Sequence, residues 1–261
     1  MSTNHAELTR FFDLLLTLTR RDIRVRYKQS VMGVLWAVLM PALVVGAGAL
    51  VRVGAAQLSG TPVGMKDIES IIVRAVAWAL FIGAIRFATN SLVGNANLVT
   101  KIAFPKEVFP LSAVLSSLFD FAVAAAVALV ALPFLGWRPT PEALWALPLI
   151  LVLLAFTTGL SLVLSSANLF FRDVKYVVEI LLTYAIFFTP VLYEARVLGR
   201  WAYIVMFNPV APVLESLAAV VVDHRPPDWM WVGYSAAVSL LLLVFGYWLF
   251  KQLEGRFAES I

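Results

Sequence analysis

The sequence predicts an all-α polytopic membrane protein. It has six transmembrane helices, an N-terminal interfacial amphipathic helix, and a re-entrant helical hairpin between helices five and six. Three observations lead there. Of the 261 residues, 61% are apolar and only 14% charged, against about a quarter charged in an ordinary soluble domain. The apolar residues gather in segments near the roughly 20 residues that a spanning helix needs. The basic residues concentrate on alternate connections, so the positive-inside rule puts both termini in the cytoplasm.

The opening M-S-T-N-H-A-E-L-T-R lacks the charged-then-apolar pattern of a cleaved signal, so the N-terminus is expected to persist inside. Leu8, Phe11, Phe12, Leu15 and Leu18 then recur at helical spacing and run into Arg20, Arg21, Arg24, Arg26 and Lys28. This pattern predicts a helix lying in the membrane interface. No charge occurs between Ser30 and Val51, and span one is expected over residues 32–53, kinked at Pro41. Span two is expected over 71–93, carrying Arg74 near its outer end and Arg86 deeper in. Span three is expected over 109–135, with Asp120 inside it, and span four over 144–169, where Gly159, Ser161, Ser165, Ser166 and Ala167 suit close helix packing. Span five, over 176–191, ends at Thr189-Pro190. Residues 192–228 are too polar to span but hold two short apolar helical patterns split by Asn208-Pro209. That predicts a re-entrant hairpin, permitted where protein or a wet cavity covers its backbone. The last span is expected over 229–250. The chain divides into an interfacial part (1–29), a six-span part (30–250) and a charged tail (251–261), forming one domain. Lys101, Lys106, Arg172, Lys175, Lys251 and Arg256 fall on the side of the N-terminus.

The chemistry is sparse. The absence of cysteine removes disulfides and thiolate metal sites, and the two histidines, His5 and His224, lie far apart in sequence, so no metal is expected. No G-x-x-x-x-G-K-[ST], H-E-x-x-H or G-x-S-x-G occurs, which leaves no P-loop and no familiar hydrolase motif. Arg86, Asp120 and Glu179 are the ionisable groups expected within spans, and such groups are functional candidates. Counted at about 1.5 Å per residue, Arg86 and Asp120 lie at comparable depth. A structural ion pair between them is expected, with Glu179 as the alternative partner of Arg86. The aromatic residues Trp36, Trp78, Phe81, Tyr184, Phe187, Phe188 and Tyr193 are suited to stacking on sugar rings along a path, and equally to anchoring span ends at the interface.

Several stretches resemble one family. They are R-D-I-R-V-R-Y-K-Q-S-V-M-G-V-L-W (21–36), N-S-L-V-G-N-A-N-L-V-T-K (90–101), F-P-K-E-V-F-P-L-S (104–112), N-L-F-F-R-D-V-K-Y (168–176), F-F-T-P-V-L-Y (187–193) and R-F-A-E (256–259). They look like the ABC-2 type permeases, most of all those exporting lipid-linked polysaccharide, O-antigen and teichoic acid. The resemblance implies a homodimer with two copies of a separate P-loop ATPase, which binds ATP and Mg; no cofactor is expected in this chain. It implies coupling helices that dock on that ATPase, here Asn95, Asn97, Lys101, Lys106 and Glu107 on one connection and Arg172, Asp173 and Lys175 on the other. It implies a gate at the hairpin around Asn208 and Pro209, and a cargo of O-antigen on undecaprenyl diphosphate moved across the bacterial inner membrane. The N-L-F-F-R-D-V match favours this cargo over capsule. Membrane lipid and the lipid-linked glycan are the other expected partners, and nucleic acid is not one. Teichoic acid or capsule is the alternative cargo, and a drug, haem or small-lipid exporter of the same superfamily is the rival within transport. A membrane glycan-processing enzyme working through Arg86 and Asp120 is the rival from another class.

Overall fold

The computed structural model describes residues 2–28, 30–59, 64–101 and 104–257. The last residues of the R-F-A-E stretch and of the tail lie outside them, as do two residues of the connection around Lys101. Every regular element among the described residues is helical.

α1 (Ser2–Tyr27) is the N-terminal amphipathic helix. Leu15 and Leu18 are buried on one face, while Arg24 and Val25 are exposed near its end. Arg24 and Arg26 occupy its last turn, where the helix dipole favours cations. α2 (Leu35–Ser59) runs through Pro41 without a break; membrane helices tolerate such a proline when neighbours re-satisfy the backbone. α3 (Met65–Thr89) starts where the Asp67 carboxylate accepts the Gly64 N–H at 2.9 Å. It is the central helix, packed against α2 and against the two long helices that follow. It stops at Asn90, and two short helices, α4 (Ser91–Gly94) and α5 (Ala96–Lys101), form the connection.

α6 (Val108–Ala131) continues into a 3-10 turn, Leu132–Leu135, and ends at Gly136, whose φ of 103° lies in the left-handed region that favours glycine. A second 3-10 turn, Pro141–Trp145, leads into α7 (Ala146–Phe170). α8 (Val174–Phe188) ends just before Thr189-Pro190, as the sequence suggests. The hairpin follows as a 3-10 segment, Ala195–Trp201, then α9 (Ala202–Met206) and α10 (Val210–Val221), broken at Asn208-Pro209. The Asp228 carboxylate accepts the N–H groups of Met230 and Trp231 and so caps α11 (Trp229–Glu254).

Five of these helical stretches are long and apolar enough to cross a membrane: Leu35–Gly54, Met65–Thr89, Val108–Leu135, Pro141–Phe170 and Trp229–Glu254. They match five of the six spans expected from the sequence. α8 has 15 residues, so it is about 22 Å long against roughly 30 Å of hydrocarbon.

Two buried clusters hold the bundle. At one end Leu15 and Leu18 of α1 meet Leu92, Val108, Leu169, Phe250 and Phe257. The larger cluster joins Trp78, Leu80 and Ile85 of α3 to Leu149 and Leu153 of α7 and to Val210, Leu214 and Leu217 of α10. α7 and α11 make the closest crossing. A Cβ placed on Gly159 would sit 2.6 Å from the Leu243 nitrogen, and one on Gly246 would sit 2.5 Å from the Gly159 carbonyl oxygen. Gly159, the first of the small residues read in the sequence, makes this contact.

Candidate functional site

At the end of the bundle where α1 packs, the connections carry the expected coupling residues. Asn97, Lys101, Arg172, Asp173 and Lys175 are exposed. Asn95 is half-buried and donates from its side chain to the Ser91 carbonyl at 2.8 Å, closing the turn between α4 and α5. Glu107 differs from expectation. It is buried and accepts from Lys251 Nζ at 2.7 Å. Lys251 also pairs with Glu254 at 2.9 Å, and the Lys106 N–H donates to Glu254 at 2.8 Å. This cluster ties the start of α6 to the end of α11, so Glu107 braces the connection from inside. The second connection is a tight turn at Phe171–Asp173 instead of a separate helix. The Asn168 side-chain oxygen accepts the Lys175 N–H at 3.1 Å and holds that turn.

The intramembrane charges pair differently from the first expectation. Arg86 donates to both oxygens of Glu179, at 2.8 and 3.0 Å, joining α3 to α8. Asp120 instead receives Arg26 and the Tyr27 hydroxyl from the tip of α1. The Arg26 guanidinium also lies 3.7 Å from the Phe87 ring centroid. Rotation about α6 turns Asp120 toward α1, and a count of depth along the helix carries no rotation. Burial, and then the Asp120 carboxylate, push the Tyr27 hydroxyl above its ordinary value. One turn back on α1, Asp22 accepts from Ser112 at 2.8 Å. Asp120→Ala and Arg26→Ala should each lower stability by about 1–3 kcal/mol, the cost of stranding a charged hydrogen-bonding group. Arg86→Ala should cost less than about 1 kcal/mol, because that pair is half exposed. Thermal unfolding in detergent checks the order, and an Arg86→Ala loss equal to that of Asp120→Ala would refute this pairing.

The aromatic candidates separate into two groups. Trp78 and Phe81 are buried, their rings 5.3 Å apart, with Phe156 stacked 6.1 Å beyond Phe81. They belong to the core between α3 and α7 and line no path within this chain. Trp36, Tyr184 and Phe188 are exposed. Tyr193 donates to the Phe187 carbonyl at 3.0 Å, folding the segment after α8 back on that helix. Asn208 donates to Thr189 at 2.9 Å and accepts the Val210 N–H at 3.1 Å, so it fastens the hairpin break to the end of α8. Ser235 of α11 donates to the Pro209 carbonyl at 2.8 Å.

The sequence reading missed one residue at this end. Glu215 on α10 accepts from Arg74 at 3.3 Å and from the Ala195 N–H at 2.7 Å, while Arg74 also donates to the Tyr193 carbonyl at 3.1 Å. A lone carboxylate in the apolar run V-A-P-V-L-E-S-L was the available signal. Among the described residues no cluster of carboxylates and histidines is placed to hold a metal ion.

The described residues form a helical membrane bundle with exposed polar turns at one end and a broken hairpin at the other. The comparisons give its class. The ABC-2 type transporter family model matches residues 13–222. An O-antigen export system permease protein RfbA of Myxococcus xanthus is 31% identical over 262 residues, covering 98% of both chains. A protein of the same description from Klebsiella pneumoniae is 30% identical over 255 residues, covering 96% of this chain and 95% of its own. This chain belongs to the ABC-2 type transporter family, as a membrane permease subunit.

Proposed function

We propose that this subunit forms half of a channel that carries a lipid-linked polysaccharide, O-antigen on undecaprenyl diphosphate, across the bacterial inner membrane. The end-to-end similarity to O-antigen export permeases carries this reading. ATP and Mg would be bound by a separate P-loop ATPase, two copies of which would dock on a homodimer of this chain. The exposed apolar length of α2 leaves room for a second copy or lipid.

Six crossings fit better than five. Leu15 and Leu18 near the start of the chain share a cluster with Phe250 and Phe257 near its end, so the described ends meet on one side. Five crossings would separate them. α8 would be the sixth crossing, its short length made up by the hairpin fastened to its end, and the basic bias would make the shared side cytoplasmic. The hairpin from the Ala195–Trp201 turn through α10 would close the outer mouth. A glycan of many sugars must be threaded, so the channel needs such a seal at rest. Tyr184, Phe188 and Tyr193 lead toward it and would guide the chain by stacking on successive sugars.

Inverted vesicles holding this subunit and its ATPase should move a polyprenyl-linked glycan in an ATP-dependent way. Movement of small lipids or dyes with none of the glycan would favour the small-lipid or drug exporter instead. Lys101→Glu with Arg172→Glu should weaken co-purification of the ATPase at least about tenfold, since a small contact has few anchors. Undiminished co-purification would remove these two connections as the coupling surface.

A further inference from the structure

A cleft of about 890 Å³ opens between the last turns of α1, the end of α3, α4 and the start of α8. Cations converge on it from three helices: Arg21 and Arg26 of α1, Arg86 of α3 and Lys175 of α8. Asp22 pairs with Arg21 at 2.8 Å, Glu179 with Arg86 at 2.8 Å, and Asp120 holds Arg26, so the charges at the cleft keep an excess of one cation, Lys175. We propose that this cleft is a binding site for the diphosphate headgroup of a polyprenyl carrier lipid. The assignment deepens the exporter reading and rests on it for the choice of lipid.

Three features support a lipid headgroup. First, guanidinium groups recognise phosphate oxygens through paired N–H donors, and two helices supply them here. Second, exposed apolar side chains line the cleft beside the cations: Val25 is 70% exposed, Tyr176 61% and Phe87 42%. Charged groups beside exposed apolar ones fit an amphiphile, whereas an acidic loop of a protein partner would leave the apolar ones wet. Third, α1 is an interfacial helix by its pattern, so its last turns lie at the depth of lipid headgroups. The volume falls within the range of ordinary ligand pockets, about 300–1,000 Å³.

The site also has a way to receive the anion. Arg86 and Glu179 pair across its wall with 46% and 47% of their side chains exposed. An exposed pair of this kind contributes little, so Arg86 exchanges Glu179 for a phosphate oxygen at small cost. That exchange loosens the α3–α8 tie. Asn95 and Lys175, on the two connections toward the ATPase, line the same cleft, so an occupied site touches both.

The test uses the full-length subunit alone in phosphatidylcholine nanodiscs, titrated with farnesyl diphosphate by calorimetry. Binding is expected, with none for farnesol. Arg21→Gln with Arg86→Gln should weaken it at least about tenfold, as the loss of charged hydrogen bonds implies. Glu179→Gln should tighten it several-fold by freeing Arg86, an effect that misfolding cannot produce. Unchanged affinity in both variants overturns the proposal. Equal affinity for inorganic diphosphate would make it a soluble-phosphate site, and displacement by phosphatidylglycerol at equal concentration would make it a general anionic-lipid site; either result overturns the carrier assignment. No ATPase is present, so failed headgroup binding and failed ATPase docking remain separate results.

Discussion

Gly159→Ala, with Gly246→Ala beside it, is expected to lower the stability of the folded subunit more than any other added methyl in the bundle. Its new Cβ would stand 2.6 Å from the Leu243 nitrogen and 2.7 Å from the Leu242 carbonyl oxygen, all backbone atoms of α11. A side chain can swing away from such a clash, but a helix backbone can only retreat as a whole. Overpacking costs typically about 1–3 kcal/mol, and the upper end or beyond is expected here. Retreat would also break the contact at Gly246, whose own Cβ position lies 2.5 Å from the Gly159 oxygen. Gly246→Ala should therefore behave alike, and Gly159→Val should leave no folded protein. Gly233→Ala on the same α11 has nothing within 4 Å of the added carbon. It should be neutral or gain up to about 1 kcal/mol from helix propensity. Unfolding temperatures in one detergent decide this. Equal melting of the Gly159→Ala and Gly233→Ala variants would mean that the two helices do not pack this closely.

That crossing was half legible in the sequence. Small residues at positions 159–167 signalled a close approach, but nothing in the string named α11 as the partner. Local signals did well elsewhere. Thr189-Pro190 ends α8 and Asn208-Pro209 breaks the hairpin because proline acts on its own backbone and on the residue before it. Pairings between distant segments did less well. Arg26 and Asp120 are 94 positions apart, and they meet because α1 crosses α6 with its tip beside Asp120. Helix rotation and crossing angle decide such contacts, and the side chains that set them lie on other helices. Trp78 shows the same limit: an aromatic near a span end anchors, stacks or packs according to which neighbour covers it. The central position of α3 covers Trp78 completely.

Arg74→Ala should be the most damaging charge deletion in the chain. Arg74 is 3% exposed on the central helix. Its guanidinium holds the Tyr193 carbonyl at 3.1 Å and Glu215 at 3.3 Å, and Glu215 holds the Ala195 N–H at 2.7 Å. One arginine therefore fastens the segment after α8 and the inner helix of the hairpin to α3. Removing it strands the Glu215 carboxylate in a poorly solvated place, and breaking such a buried pair costs roughly 3–5 kcal/mol. Glu215→Ala should cost about as much in the opposite sense, by stranding Arg74. Replacing both with methionine should recover much of the loss, because two apolar chains of similar length need no counter-charge. The tie also bears on the proposed seal. If the hairpin closes the outer mouth, freeing it from α3 lets it move before it unfolds. Proteoliposomes with Arg74→Lys, which keeps a charge but loses the planar fork, should then pass ions at rest while still melting near the parent temperature. A parent-like melt for Arg74→Ala would show that the pair is not structural. A destabilised but ion-tight Arg74→Lys would show that it braces the fold without holding a gate.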